Sequence, residues 1–238
     1  MSGRVLVVSG TGTGVGKTVV TAAVATLARA RGERVAVVKP AQTGTAAGDV
    51  PDIETIERLT GIIDTHELAR FPDPLSPEAA ARVAGLPPLD LRFAADYVAK
   101  LAESFDLVLV EGAGGLLVRY DPDGGTLAGL AAALAAPVMI VAAAGLGTLN
   151  HSALTLEALA ARKLISKGVV IGSWPRRPGL AERANLTDLE VVAGGPLAGV
   201  LVEGAGGLDR PAFLAAARAG LAARLGGAGT PATSLSAL

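Results

Sequence analysis

The sequence has no cysteine among its 238 residues, which excludes disulfide bonds and thiolate metal sites. The chain also opens directly on an apolar strand, without the segments of a signal peptide, and both features predict a cytoplasmic protein. Aromatic residues make up only 3% of the chain, whereas glycine and alanine abound, which indicates closely packed helices and sheet. A net charge of −1 without a basic cluster argues against a nucleic-acid partner.

Long apolar runs with the flanks of a membrane-spanning helix are also lacking, so we expect no membrane partner. The nearest candidate, 127–147, is interrupted by Pro137 and predicts a helix, a turn and a strand. The chain length fits one domain, which we place at residues 1–225. The remaining segment, 226–238, is predicted to be a disordered tail because it is rich in glycine, serine and threonine.

The most informative stretch is residues 4–18, RVLVVSGTGTGVGKT. A short apolar run at 5–8 predicts a buried strand, and alternate glycines follow it. After Lys17 and Thr18 the composition is that of a helix as far as Gly32. In such a strand–turn–helix unit the glycines allow backbone N–H groups to face phosphate oxygens, and the helix N-terminus adds its positive end.

In this motif the lysine reaches the outer phosphates and the hydroxyl holds Mg²⁺, which are the roles predicted for Lys17 and Thr18. The spacing departs once from the G-x-x-x-x-G-K-[ST] pattern, because Thr11 stands at the first glycine position and Gly10 comes one place early. The strand, loop and helix nevertheless sit where the mechanism requires them. We therefore predict that the chain binds a nucleoside triphosphate.

Apolar strands alternate with helices along the rest of the chain, which predicts a doubly wound, mostly parallel α/β sheet in three layers, like that of P-loop NTPases. The further predicted strands are 34–40, 106–115, 136–147, 167–174 and 195–202. The further predicted helices are 53–61, one that starts at Ser76-Pro77, 89–105, 148–163 and 209–225. The rest of 62–90, and the three-proline segment between the last two strands, are predicted to be irregular connections.

Ligands of such sheets bind beyond the carboxyl ends of the strands. Lys39 ends the second predicted strand and Glu111 lies near the end of the third. The segment 145–150 follows the fourth strand, and residues 172–173 lie at the end of the fifth. We therefore expect the charged side chains of Lys17, Lys39 and Glu111 to face one triphosphate.

Four motifs, GTGTGVGKT, VVKPAQTG, VEGAGGLLV and GTLNH, together resemble the dethiobiotin synthetase family over residues 4–220. The resemblance implies a homodimeric ligase that uses ATP and Mg²⁺ to add CO₂ to 7,8-diaminopelargonic acid and close a cyclic urea. The implied path runs through a carbamate and a carbamoyl phosphate mixed anhydride. A carbamate is a weak, negatively charged nucleophile, so catalysis consists mainly of positioning and charge neutralisation by Lys17, Lys39 and Mg²⁺.

The resemblance also implies roles for individual residues. Lys39 would stabilise the carbamate and the transferred phosphoryl group, and Thr43 would contact the diamine. Glu111 would bind Mg²⁺ together with a loop acid, for which Asp52 is the better match and Asp49 the competitor. The implied catalytic residues are Lys17 and Lys39, and the implied metal ligands are Thr18, Asp52 and Glu111. The segment implied to reach the diamine across the dimer interface consists of Gly147, Thr148, Leu149 and Asn150.

Nucleotide binding is implied for a larger set of residues. This set consists of Gly14, Val15, Gly16, Lys17, Thr18, Val19, Asp52, Glu111, Gly112, Ala113, Gly114, Gly172, Ser173, Val202 and Glu203. Relatives often have Asn-Asp after the fifth strand to read the base, where this chain has Gly172-Ser173. The base would then be contacted by backbone groups of 172–173 and 200–203, and its identity, ATP or another nucleotide, is left open.

Other interpretations remain beside these. A partition or cell-division ATPase, which acts on proteins and membranes, would carry a second lysine at the position of Gly12 and often a basic C-terminal helix, and both are missing. A cobyrinic-acid-type amidoligase usually adds a glutaminase domain with a catalytic cysteine, and this chain has no cysteine. A GTPase needs an Asn-Lys-x-Asp motif, and the sequence does not contain one. Asp52 has a simpler interpretation as the N-cap of a helix that begins at Ile53. Trp174 is interpreted as a packing residue and His151 as structural.

Overall fold

The computed structural model describes residues 3–45 and 50–229. Its strands are β1 (Arg4–Gly10), β2 (Val35–Lys39), β3 (Gln42–Thr43), β4 (Thr65–Glu67), β5 (Arg70–Phe71), β6 (Leu107–Gly115), β7 (Val138–Ala142), β8 (Ser166–Trp174) and β9 (Gly199–Val202). Seven of them form one parallel sheet in the order β4-β2-β6-β1-β7-β8-β9, and β3 pairs with β5 in a separate small sheet. The central strand, β1, is thus the one that leads into the glycine loop.

Helices cover both faces of the large sheet. They are α1 (Lys17–Ala30), α2 (Asp52–Thr60), α3 (Pro77–Ala84), α4 (Leu91–Leu101), α5 (Leu127–Ala133), α6 (Thr148–Ala161), α7 (Leu180–Ala193) and α8 (Arg210–Gly220). Apolar side chains of α1, α2 and α8 pack in one core with one face of the sheet, and those of α3 to α7 pack in a second core with the other. The predicted three-layer, doubly wound α/β fold is confirmed.

The central strand shows why the apolar runs of the sequence predict this fold. Successive side chains of a strand point to opposite faces, and Val7 lies in one core while Leu6 and Val8 lie in the other. A strand covered by helices on both faces has no polar side, so it reads as a continuous apolar run. Polar residues are then left for the strand ends, where the functional groups are predicted.

Strand register places two of those groups side by side. Val38 of β2 is paired with Val110 of β6, so the next residues, Lys39 and Glu111, are neighbours at the carboxyl edge. Glu111 is also the register partner of Val8, two residues before β1 ends at Gly10. Backbone pairing alone therefore brings Lys39 and Glu111 to the start of the glycine loop.

The elements β4, β5 and α7 lie where irregular chain was predicted. β4 has only three residues, each half-buried, so no apolar run marks it within 62–90. Helix α7 buries only Asn185 and Leu189, and apolar residues such as Leu180 and Val191 lie on its exposed side, so its sequence lacks the single apolar stripe by which helices are recognised. The fourth predicted strand, 136–147, is shortened to β7 because the chain turns toward α6 after Ala142.

The end of the chain is described only in part. Backbone N–H groups of residues 226–229 donate to carbonyl groups of residues 218–223, and 230–238 lie outside the described residues. The division into one domain and a tail stays a prediction. Among the helices of the described ranges, none has the combined length and apolarity needed to cross a lipid bilayer.

Candidate active site

The glycine loop joins β1 to α1 and presents backbone N–H groups at the helix N-terminus. Gly14 and Gly16 have φ angles of 74° and 94°, a conformation that strains side-chain-bearing residues. Lys17 is the first residue of α1, and its Nζ donates to the carbonyl oxygen of Gly12 at 2.9 Å. Burial, followed by repulsion from Lys39, lowers the pKa of Lys17, against the attraction of nearby carboxylates.

Lys39 lies at the centre of a buried charge cluster, with 2% of its surface exposed. Its Nζ contacts Asp52 Oδ2 at 2.5 Å and Glu111 Oε1 at 2.9 Å, and it lies 3.4 Å from the Gly112 carbonyl oxygen. Burial alone would lower the pKa of Lys39, but the charges and hydrogen bonds of Glu111 and Asp52 outweigh it and raise the pKa. The lysine is therefore held as a cation where a phosphoryl group would arrive.

Three oxygen atoms converge beside this cation. The Thr18 hydroxyl lies 2.9 Å from Asp52 Oδ1 and 3.0 Å from Glu111 Oε1, and its single proton is shared between two acceptors. Glu111 is fully buried, and its Oε2 has no hydrogen-bond partner within the described residues. Burial favours the neutral form of Asp52, yet Lys39 and the Thr18 hydroxyl lower the pKa of this carboxyl below its usual value.

The site thus combines oxygen ligands with neutralising cations. Two carboxylates, Asp52 and Glu111, face two ammonium groups, Lys17 and Lys39. Across the described parts of the chain, no group of three or more His, Cys, Asp or Glu side chains is placed to hold a metal ion. A cation held here would therefore need the Thr18 hydroxyl and oxygens from a nucleotide or water in addition to the two carboxylates.

Asp52 reaches this site from the start of α2. The alternative interpretation of Asp52 as an N-cap is wrong, because Asp52 is the first helical residue and Pro51 occupies the cap position without a side-chain hydrogen bond. Its carboxylate is turned to Lys39 and Thr18 instead, and its backbone N–H donates to Gln42 Oε1 at 3.2 Å. The competing acid, Asp49, lies outside the described residues.

A cavity of about 750 Å³ opens above these groups. Its walls include the glycine loop, Lys39, Asp52 and Thr43, of which Thr43 is the predicted diamine contact. Sequence reasoning missed several other lining residues, namely Thr13, Gln42, Gly44, Pro74, Leu75, Ser76, Pro77 and Val118. The part of 62–90 around Pro74 therefore forms one side of the cavity. The signal for Gln42 was a polar residue between the Lys-Pro and Thr-Gly pairs.

The segment 147–150 forms the start of α6 and is not part of the cavity wall. Gly147, with φ of 86°, forms the N-cap of α6, and the buried Thr148 hydroxyl donates to the Ala143 carbonyl at 2.7 Å. Leu149 packs against the core, whereas Asn150 is exposed. None of these four residues lines the cavity, and their predicted contact with the substrate stays a prediction.

The predicted base-binding residues lie on the other side of the glycine loop. Gly172 is buried against Val15 and Gly16, while the Ser173 side chain is exposed. Val202 packs partly against the core, and the Glu203 carboxylate accepts the backbone N–H of Arg176. Trp174 is buried in the core, as predicted, and does not face solvent. The set therefore forms a rim that continues from the loop.

Gly172→Ala is expected to weaken nucleotide binding. An added Cβ would lie 2.1 Å from the Val15 carbonyl oxygen and 3.1 Å from Gly16 Cα, so the glycine loop would have to move. Overpacking of this kind costs about 1–3 kcal/mol, and we expect a rise of about 10-fold in the nucleotide Kd. Isothermal titration calorimetry measures this nucleotide Kd. The matched control is Gly195→Ala, where no atom lies within 4 Å of the added Cβ; equal affinities of the two variants would contradict the prediction.

Known proteins match this sequence over most of its length. A family model described as an AAA domain matches residues 4–199. The ATP-dependent dethiobiotin synthetase BioD of Frankia casuarinae is 63% identical over 222 residues, covering 93% of each chain. The protein of that name from Saccharopolyspora erythraea is 60% identical over 94% of this chain and 97% of its own length.

Solved structures with a similar fold are more distant in sequence. The MinC:MinD cell division complex of Aquifex aeolicus superimposes with a TM-score of 0.52 at 16% identity, covering 84% of this chain and 81% of the other. MinD of Pyrococcus horikoshii, complexed with Mg-ADP, gives 0.50 at 19% identity, covering 85% and 82%. At these identities the likeness shows the fold alone.

Proposed function

The chain belongs to the dethiobiotin synthetase family of ATP-dependent ligases, and from this premise we propose that it converts 7,8-diaminopelargonic acid and CO₂ into the cyclic urea dethiobiotin. The observation that carries the proposal is the contact of Lys39 with both Asp52 and Glu111, beside the glycine loop. A buried cation there, facing a cavity of about 750 Å³, suits the meeting of a carbamate with a γ-phosphate.

The oxygen cluster fits a magnesium ion. Mg²⁺ binds oxygens at about 2.0–2.1 Å in octahedral geometry, in which adjacent ligands are about 3.0 Å apart. The hydroxyl of Thr18 lies 2.9 and 3.0 Å from the nearest oxygens of Asp52 and Glu111, and Glu111 Oε2 is buried without a partner. We assign these three residues as the ligands; the ion, when bound, would neutralise charge on the phosphates.

The proposed reaction begins when one amine of the diamine adds to CO₂ and loses a proton, giving a carbamate. A carbamate oxygen then attacks the γ-phosphorus, the bond to the leaving nucleoside diphosphate breaks, and a mixed anhydride forms. The second amine attacks the carbonyl carbon, and the anhydride bond breaks to release phosphate. Lys39 and Lys17 stabilise the charge that accumulates in the second step, and the loop amides align the phosphates.

The diamine is proposed to contact Thr43 in one chain and residues 147–150 of a second copy, in a homodimer. Two large apolar side chains beside that segment, Leu146 and Leu154, are 92% and 56% exposed. Exposed apolar surface of this kind favours a protein interface. In such a dimer, residues 147–150 would reach the cavity of the partner chain, which explains why they do not line the cavity of their own chain.

The nucleotide base is proposed to lie along the rim formed by Gly172, Ser173, Val202 and Glu203. ATP is the co-substrate of the family, and recognition through backbone groups at this rim would select the base weakly. We further propose that the enzyme works in the cytoplasm, where its triphosphate is available.

Phosphate release with bicarbonate and Mg²⁺ tests the function. The purified protein is assayed with ATP, CTP, GTP and UTP, each with and without 7,8-diaminopelargonic acid. The organic product is identified and quantified by mass spectrometry. We expect phosphate release that requires the diamine, with one cyclic urea formed per phosphate. Equal hydrolysis with and without the diamine would refute ring closure and favour an ATPase that acts on another partner.

A further inference from the structure

Gln42 is a buried polar side chain whose amide is used at both ends. It lies on β3, with 8% of its surface exposed, and it lines the cavity. Its Oε1 accepts the backbone N–H of Asp52 at 3.2 Å, and its Nε2 donates to the Thr43 carbonyl oxygen at 3.1 Å. One side chain therefore connects the backbone of a proposed metal ligand with that of the proposed diamine contact.

The start of α2 depends on this bond. The first N–H groups of a helix have no partner within it, and a side-chain oxygen at the cap position usually accepts one of them. Pro51 occupies that position and has no such oxygen, while the Asp52 carboxylate points to Lys39 and Thr18. Gln42, ten residues away in sequence, supplies the missing acceptor.

Gln42 is itself held firmly by its backbone. Its N–H donates to the Ala69 carbonyl oxygen at 2.9 Å, and in the β3–β5 sheet it is the register partner of Arg70. Two residues on, the Gly44 N–H donates to the Asp73 carbonyl at 3.0 Å. The segment that carries Gln42 is thus anchored on one side of the cavity, and its side chain reaches the start of α2.

We propose that Gln42 is a positioning residue: its amide fixes the first turn of α2 so that the Asp52 carboxylate faces Thr18 and Lys39. Through its second hydrogen bond it couples this placement to the backbone at Thr43. The inference rests on the proposed function, because it takes Asp52 as a metal ligand and Thr43 as a diamine contact. A residue that forms a hydrogen bond with a metal ligand, without touching the metal itself, orients that ligand and thereby affects the metal affinity.

Gln42→Met tests the proposal, since methionine keeps the length and burial of the side chain and removes both hydrogen bonds. The matched control is Thr60→Val at the other end of α2. The buried Thr60 hydroxyl likewise makes one bond as donor, to the Ile56 carbonyl at 2.7 Å, and one as acceptor, from the Ile62 N–H at 3.0 Å. Both variants lose two side chain–backbone bonds, but Thr60 does not line the cavity.

The readout is the Mn²⁺ affinity in the presence of a non-hydrolysable ATP analogue, measured by electron paramagnetic resonance without any turnover. For Gln42→Met we expect the Mn²⁺ Kd to rise roughly 10-fold and the KM for the diamine to rise while kcat changes less. For Thr60→Val we expect both values to stay within about 2-fold, with a loss of melting temperature similar to that of Gln42→Met.

The outcomes separate this inference from the proposed function. A wild-type protein that binds Mn²⁺ and analogue normally, with a Gln42→Met variant of unchanged Mn²⁺ Kd and lowered melting temperature, would make Gln42 a merely structural residue. Equal changes of Mn²⁺ affinity in both variants would also overturn the inference. A wild-type protein without Mn²⁺–nucleotide binding would instead refute the proposed function, and the role of Gln42 with it.

Discussion

Lys39→Met is expected to reduce diamine-dependent phosphate release by about 10²–10³-fold in kcat. The substitution keeps an unbranched side chain at a position that is 2% exposed, but it removes the one charge that, among the described residues, forms ion pairs with both Asp52 and Glu111. The γ-phosphate and the carbamate would then meet without the cation placed between them. Single-turnover phosphate release at saturating nucleotide and diamine measures the loss.

Stability must be separated from catalysis in this variant. Removing one partner of a buried ion pair leaves the other charge uncompensated and costs about 3–5 kcal/mol. The fully buried Glu111 is the group that loses the cation in direct contact with it. The double variant Lys39→Met/Glu111→Gln removes both charges, so we expect it to regain most of the melting temperature and none of the activity. Recovered activity in the double variant, or a folded Lys39→Met variant with more than a tenth of wild-type turnover, would show that Lys39 takes no part in the chemistry.

The part of the site that was predictable follows from strand order and register. Apolar runs mark the buried parallel strands, and the polar residues at their ends must face the same edge of the sheet. The pairing of Val38 with Val110 then makes Lys39 and Glu111 neighbours, and β1 brings the glycine loop to them. These contacts join elements that are far apart in sequence, yet each is fixed by its place at a strand end.

Other features depend on contacts that no sequence pattern reports. The helix start at Asp52 is one residue earlier than predicted because the acceptor for its N–H comes from Gln42, on another element. The edge strand β4 is too short to show alternation, and α7 buries too few residues to show a stripe. In each case tertiary partners supply what local propensity does not.

The fold by itself does not choose between a ligase and a cell-division ATPase. The solved MinD structures share the doubly wound sheet with this chain, at identities too low to carry more than the fold. The group that we propose as characteristic of the ligase is Lys39 at the end of β2, since its ammonium lies between the two proposed metal ligands. A nucleotide site alone does not need this second buried cation, whereas a carbamate that attacks a γ-phosphate does.

Thr18→Val is expected to weaken nucleotide binding in the presence of Mg²⁺ by roughly 100-fold or more, with little change in the affinity for the diamine. Valine keeps the branched shape of threonine and removes the hydroxyl that lies 2.9 Å from Asp52 and 3.0 Å from Glu111. The oxygens of Asp52 and Glu111 would remain, but the hydroxyl oxygen beside them would be gone, so a bound Mg²⁺ ion would lose one of its ligands. Calorimetric titration of a non-hydrolysable analogue, at several Mg²⁺ concentrations, measures the effect.

The control for this variant lies one turn along the same helix. Thr21 is fully buried, and its hydroxyl donates to the Lys17 carbonyl oxygen at 3.0 Å, so Thr21→Val removes a hydroxyl and a hydrogen bond without touching the oxygen cluster. We expect Thr21→Val to keep the Mg²⁺ dependence of the wild type, because the loss of one neutral hydrogen bond costs only about 1 kcal/mol and falls on stability. A ligand role for Thr18 predicts that higher Mg²⁺ partly restores binding to Thr18→Val. A loss that Mg²⁺ does not relieve, or one equal for nucleotide and diamine, would mean that the hydroxyl shapes the loop and does not hold the metal.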